Sequence, residues 1–294
     1  MTTRRATHKN SWYSGSRDEL NEQLSGWLNK ASFTHGPARA IISPHAGYFY
    51  SGACAAHAYK QINPDLVKRY FVFGPSHHFY LDTCAIPSAD YFETPLFNLR
   101  MDTEVRKNLM KTGKFDILET NHDEEEHSIE MQFPYIAKIM EAHAENFTVI
   151  PVLVGSLSFS KEKLFGEIFS PYLSDPATVF VISSDFCHWG DRFSYTYYDQ
   201  SLGEIWKSIR DLDHKGMELI EKLDTLGFHT YLKDYRNTIC GRHPIGVLLH
   251  AIDALKSTTL EQPTLKFVQY AQSSKCRSQR DSSVSYASAS LVFN

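Results

Sequence analysis

Residues 179–189 read Val179-Phe180-Val181-Ile182-Ser183-Ser184-Asp185-Phe186-Cys187-His188-Trp189, an apolar run that ends on serine and gives way to ionisable side chains. A short apolar run without polar alternation is the pattern of a strand covered on both faces. Residues 38–43, centred on Ile41 and Ile42, residues 70–73 and residues 149–154 repeat it. Helical spacing fills the intervals. Residues 53–61 follow the first strand, residues 128–143 carry Ile129, Phe133, Ile136 and Met140, and residues 160–172 carry Leu164, Ile168 and Phe169. Strands interleaved with helices predict an α/β fold, with a central mixed or parallel sheet flanked by helices.

Outward from these elements, an N-terminal arm runs over residues 1–14. Ser16 and Glu19 then form a capping box that opens a helix with the stripe Leu20, Leu24, Trp27 and Leu28. Residues 199–235 predict two or three helices punctuated near Asp213 and Asp224. Residues 243–256 predict another, and residues 265–271 and 284–293 are β-like. No repeat or Pro/Gly/Ser-rich linker divides the chain, so we read residues 1–294 as one domain.

Three of the apolar runs end in imidazole. Ile41-Ile42 leads into Ser43-Pro44-His45-Ala46-Gly47-Tyr48, and Phe71-Val72-Phe73 into Gly74-Pro75-Ser76-His77-His78; the third run leads to Asp185 and His188. The carboxyl ends of strands in an open α/β sheet form the ligand-binding crevice, so His45, His77 and His188 are expected at one edge. Pro44, Gly47, Gly74 and Pro75 supply the tight turns that a fixed constellation requires.

A second cluster, Thr238-Ile239-Cys240-Gly241-Arg242-His243-Pro244-Ile245-Gly246, precedes an apolar helix. A cysteine near a helix start, beside Arg242 and His243, has a field favouring thiolate, which leaves a nucleophile, a soft metal ligand and a packed thiol as readings. The third cluster is Asp123-Glu124-Glu125-Glu126-His127-Ser128-Ile129-Glu130. Its acids read as a solvated helix start and His127 as a candidate crevice residue. His57, His143, His214, His229 and His250 fall in helical segments and read as structural or surface residues. Cys54, Cys84, Cys187 and Cys276 lack metal-type spacing and read as buried thiols.

Composition narrows the classes. The chain has 294 residues, 42% hydrophobic, with 30 basic against 34 acidic side chains, so no global field attracts nucleic acid or anionic lipid. No apolar run approaches the roughly 18–20 residues of a membrane span. The basic first 17 residues lack the apolar core of a secretory signal. Five cysteines without a C-x-x-C pair suit a reducing compartment.

These segments resemble the Memo family, named for mediating receptor-driven cell motility. The match runs from Asn10-Ser11-Trp12-Tyr13 to Asp281-Ser282-Ser283-Val284-Ser285-Tyr286, nearly the whole chain. The resemblance implies the fold of the large subunit of class III extradiol dioxygenases, non-haem iron enzymes that open catechol rings. It implies His45, His77 and Cys240 as metal ligands, with Asp185 and His188 in the site in catalytic roles. His78, His127, Tyr48, Trp189 and Arg242 would surround them. The dioxygenases hold Fe(II) with two histidines and a carboxylate, and a thiolate in that place argues against ring cleavage. Imidazole with thiolate suits Fe(II) or Cu over Mg or Ca, with Zn a weaker candidate.

The resemblance further implies oxidant production or metal handling in motility and cytoskeletal signalling. It implies a cytoplasmic location, with the nucleus as a second site, and a metal ion as partner. A rival reading is an adaptor that binds phosphotyrosine-type receptor peptides through Tyr48, Trp189 and Arg242. A third is a hydrolase using Zn, or Cys240 as nucleophile.

Overall fold

In the computed structural model, which describes residues 1–256 and 261–294, the four apolar runs become neighbouring strands. The strands are β1 (Thr3–Arg4), β2 (Ala40–Ser43), β3 (Arg69–Pro75), β4 (Cys84–Pro87), β5 (Tyr91–Phe92), β6 (Leu99–Arg100) and β7 (Phe115–Leu118). They continue with β8 (Thr148–Val154), β9 (Thr178–Ser183), β10 (His188–Trp189), β11 (Pro263–Gln272) and β12 (Ser283–Phe293). The large sheet has the order β10-β12-β2-β9-β3-β8-β4-β7, with β11 paired to β12. β2, β9, β3 and β8 run parallel, whereas β12 and β4 join antiparallel at either side, so the sheet is mixed.

Every residue of β2 and β9 is buried, as is β3 beyond Arg69. Absence of alternation in the sequence thus reflects cover on both faces. Helices α1 (Arg17–Lys30), α2 (Tyr48–Tyr59) and α5 (Phe133–Ile139) pack together, with α2 over β2 and β12. Helices α6 (Phe159–Ser174) and α9 (Arg242–Lys256) pack on one another and on β9. The remaining helices are α3 (Thr103–Lys111), α4 (Thr120–Glu125), α7 (Ile205–Glu221) and α8 (Thr225–Tyr235).

Register aligns the strand ends. Ser43 pairs with Ser183, and Phe73 with Ile182. His45, Asp185 and His77 each lie two residues beyond the end of their strand, which brings all three to one edge.

Three expectations require correction. Residues 128–143 do not form one helix: 3-10 turns at Glu130–Gln132 and Glu141–His143 flank α5. Glu130 and Gln132 are fully buried on polar partners, and Pro134, which lacks an N–H, starts a new helix instead of continuing one. Asp213 does not punctuate the chain; it lies within α7 and is buried, accepting bonds from Cys187 N, Asn237 and Tyr270. Asp224 does act as a stop and start, capping α8 through Gly227 N. The acids 123–126 are not a solvated helix start, because Asp123 and Glu126 are buried to within 1%. The N-terminal arm, by its own pairing, is part of the fold. β1 pairs in parallel with β5, and Arg4 is 1% exposed.

Candidate metal centre

At the strand ends, the Cys240 sulfur stands 3.2 Å from His45 Nε2 and accepts Asp185 N–H at 3.2 Å. His77 closes the group, its ring centroid 5.2 Å from that of His45. His127 stacks on His77 with centroids 4.5 Å apart, and one ring nitrogen from each of His45, His77 and His127 lies within 4.8 Å of the others, near enough to share an ion. His188, after β9, lines the same cavity of about 590 Å³ together with Trp12, Tyr50, Asp185, Arg192 and Phe193.

Close packing at two glycines permits this convergence. A Cβ on Gly74 would lie 2.5 Å from Ser128 Oγ and 2.6 Å from Ile129 Cγ1, so a side chain there would push the Glu126–His127 segment off the end of β3. A Cβ on Gly241 would overlap Ser184, and Gly241 N–H donates to Ser184 Oγ at 3.0 Å, which seats Cys240 against the end of β9.

Hydrogen bonds fix each imidazole in one orientation. Ser183 Oγ donates to Ser128 O at 2.6 Å, so toward His45 it can only accept. It receives His45 Nδ1–H at 2.8 Å and Gln132 Nε2 at 2.8 Å. Glu126 Oε1 accepts His77 Nδ1–H at 2.9 Å, and its other oxygen accepts His77 N–H at 2.7 Å. Thr238 O accepts His188 Nδ1–H at 3.0 Å. With Nδ1 protonated in all three rings, Nε2 carries the lone pair or the exchangeable proton that faces the site. This is how outer hydrogen bonds orient metal-binding histidines.

Electrostatics complete the picture. Burial pushes the Cys240 thiol up, but the charges and hydrogen bonds of His45 and His77 more than offset this and bring it down to about 6. Burial opposes charge on His77 as well, yet bonds to Cys240 and Glu126 raise it to about 10. Without a metal, the pair is therefore thiolate and imidazolium at neutral pH. Burial, with repulsion from His45 and His77, pushes His127 well below its ordinary value, keeping it neutral. Asp185 is raised by burial, and its Oδ1 accepts His45 N–H at 2.9 Å and Ala46 N–H at 3.3 Å; it shapes the turn that carries His45.

The donor set fits a soft or borderline ion. Metal–sulfur and metal–nitrogen bonds of ordinary length, spread tetrahedrally, separate S from N by about 3.5 Å. The 3.2 Å between Cys240 Sγ and His45 Nε2 needs to open by only a few tenths of an ångström.

Not every expected residue reaches the cavity. Tyr48 is buried, donating to Met131 O at 2.7 Å, and Trp189 is buried, donating to Tyr197 O at 2.8 Å. Arg242 folds back on Ile239 O at 3.2 Å. None of the three lines the cavity wall, and His78, although edge-on to His127 at 5.9 Å, does not either. Sequence reading missed Glu126, Ser183 and Thr238 as imidazole partners. It also missed Arg192, Phe193 and the hydroxyl wall from Ser273, Ser274, Ser282 and Ser283.

The Memo-like protein family model matches residues 4–290. The chain belongs to the Memo-like family. "Protein MEMO1" of Rattus norvegicus is 57% identical over 292 residues, 99% of this chain and 98% of that one; the Homo sapiens protein of the same name gives the same values. The Caenorhabditis elegans "Protein memo-1 homolog" is 46% identical over 98% of this chain and 82% of its own. A solved structure of an uncharacterized protein from Escherichia coli K12 aligns at TM-score 0.49 and 10% identity, covering 84% of this chain and 98% of that one, a likeness too slight to bear on function. Among the described residues of this Memo-like chain, no helix is long and apolar enough to cross a membrane.

Proposed function

We propose that this Memo-like protein binds one iron or copper ion through His45, His77 and Cys240. It would support metal-dependent oxidant production or metal handling in motility signalling. The observation that carries the reading is the convergence of two Nδ1-protonated imidazoles on one low-pKa sulfur, beside a cavity large enough for a small ligand. Bound there, iron or copper would supply one-electron exchange with oxygen species.

The protein's own residues divide the remaining work. Cys240 is held as thiolate at neutral pH, and His77 must shed a proton before a cation enters. Asp185 holds the His45 backbone, and His188, anchored at Nδ1, can hold or move a proton at Nε2 on the cavity wall. Trp12 and Phe193 exclude water from part of that wall.

Cys240 does not line the cavity, which disfavours its use as a nucleophile on a substrate held there. The adaptor reading loses Tyr48, Trp189 and Arg242 as contacts for the same reason. The test is anaerobic metal content and affinity. The His45→Ala, Cys240→Ala double variant loses stoichiometric iron and copper, and unchanged binding by a folded double variant refutes the assignment. Peptide affinity that is the same with and without chelator would support the adaptor instead.

A further inference from the structure

One wall of the site is made of rings. His127 stacks on His77 at 4.5 Å, and Trp12, on the cavity wall, lies against His127 with centroids 4.4 Å apart. The next residue in the chain, Tyr13, is buried and donates its hydroxyl to Glu130 Oε1 at 2.7 Å. Tyr13 meets Tyr48 at 5.5 Å, Tyr48 meets Tyr135 at 5.5 Å, and Tyr135 stacks on Tyr59 at 4.7 Å. The last three phenols donate to Met131 O, Gly52 O and the Gln132 side-chain carbonyl. Amide oxygens do not take up a proton at neutral pH. Of the four phenols, only Tyr13 ends on a carboxylate.

Tryptophan and tyrosine are the most easily oxidised aromatic side chains. A buried phenol yields an electron readily only when its proton has a destination, because its radical cation is a far stronger acid than any carboxylic acid. Glu130 is suited to receive it. Arg4 lies between Glu130 and Asp123, so two carboxylates share one buried guanidinium. Burial pushes the Glu130 carboxyl up, but bonds from His8, Arg4 and Tyr13 hold it below its ordinary range, still far less acidic than the phenol radical cation, and a protonated Glu130 would leave Arg4 paired with Asp123. His8 Nδ1, 2.8 Å from Glu130 Oε2 on a side chain 14% exposed, links the acid toward solvent.

We propose that Trp12 and Tyr13 form a one-electron relay that draws oxidising equivalents away from the site and holds them as a neutral phenoxyl radical on Tyr13. The relay rests on the redox reading of the metal centre. A one-electron oxidant derived from a hydroperoxide in the cavity takes an electron from Trp12, and Tyr13 refills Trp12. As it does so, the Tyr13 O–H bond breaks and an O–H bond forms on Glu130 Oε1. The oxidant is reduced by one electron, Tyr13 is oxidised by one, and the proton rests on Glu130. Oxidation of the Cys240 sulfur is thereby diverted.

The test uses the full chain in two arms. In the first, metal-free protein is oxidised with photogenerated ruthenium(III) tris-bipyridine and freeze-trapped for electron paramagnetic resonance. In the second, copper-loaded protein is mixed with hydrogen peroxide and trapped likewise. Both arms should give a phenoxyl signal that Tyr13→Phe diminishes, leaving only what exposed phenols such as Tyr50 and Tyr80 contribute, with more oxygen addition at Trp12 and Cys240 in mass spectra of the variant. Trp12→Phe leaves the Tyr13–Glu130 bond in place and should slow the signal's appearance, so the relay is testable even if Tyr13→Phe folds poorly. Tyr270→Phe is the control: that phenol also meets a carboxylate, Asp213 Oδ2 at 2.8 Å, but its ring contacts His214, and its loss should leave the signal intact. Undiminished signal in Tyr13→Phe, unchanged kinetics in Trp12→Phe, or no phenoxyl in the first arm overturns the relay. A Tyr13-dependent signal in the first arm with none in the second upholds the relay and refutes the redox reading of the metal centre.

Discussion

Replacing Glu126 with glutamine tests whether imidazole orientation governs the site. Three donors converge on this fully buried carboxylate: His77 N at 2.7 Å on one oxygen, and His77 Nδ1 and Ser128 N, both at 2.9 Å, on the other. An amide has one accepting oxygen. If that oxygen faces His77 Nδ1 and Ser128, the new NH2 meets the His77 backbone N–H donor to donor. If it faces the backbone N–H, the NH2 meets Ser128 N–H and forces His77 into the other tautomer, with its proton on Nε2 pointing at the site. Either rotamer leaves at least one buried donor unpaired, at about 1–3 kcal/mol of stability. Loss of the outer carboxylate should weaken metal binding by about 10–100-fold, equivalent to about 1.4–2.8 kcal/mol. Anaerobic competition against a chromophoric chelator measures it, with thermal unfolding to show that the variant folds. Burial pushes Glu126 up, but the hydrogen bond and charge of His77 and the Ser128 N–H hold it far below the ordinary carboxylate range. Its contribution to wild-type stability is therefore present above the ordinary carboxylate pKa and lost as pH falls toward the folded value; Glu126→Gln should flatten that acid limb. Wild-type metal affinity in a folded Glu126→Gln protein would refute the reasoning.

Metal uptake should release the His77 proton between about pH 6 and about 10, where Cys240 is already thiolate and His77 still imidazolium. Affinity in that window should therefore rise with pH, and more steeply below it as Cys240 also protonates, and calorimetry in buffers of different ionisation enthalpy would count the protons released. Cys240→Asp, which substitutes a carboxylate for the thiolate, should weaken Cu(I) binding relative to Fe(II), measured by paired anaerobic competitions. Arg4→Met removes the cation between Asp123 and Glu130 and should cost about 3–5 kcal/mol in denaturant unfolding, because two buried carboxylates lose their partner.

The strands and their polar ends were legible because both signals are local. Cover on both faces removes alternation from β2, β3 and β9, and the chain then turns polar within two residues, at His45, His77 and Asp185. The partners that orient the rings were not legible, because each depends on a residue distant in sequence. Ser183 reads as the last residue of a strand until His45, 138 positions away, donates to it. Arg4 reads as part of a basic tail until it meets Asp123, 119 positions on. In the acidic run the spacing holds a partial signal. Asp123, in α4, and Glu126, the extended residue just past its end, stand three apart and are buried, whereas Glu125 is exposed and Glu124 pairs with the exposed Arg5. Local pattern can divide such a run into two faces. It cannot tell which face is turned inward, because the free energy that buries a carboxylate comes from the guanidinium or imidazole opposite it. In this protein the candidate imidazole ligands therefore follow from short-range sequence and Cys240 from the family resemblance, while the charges that orient them follow only from the fold.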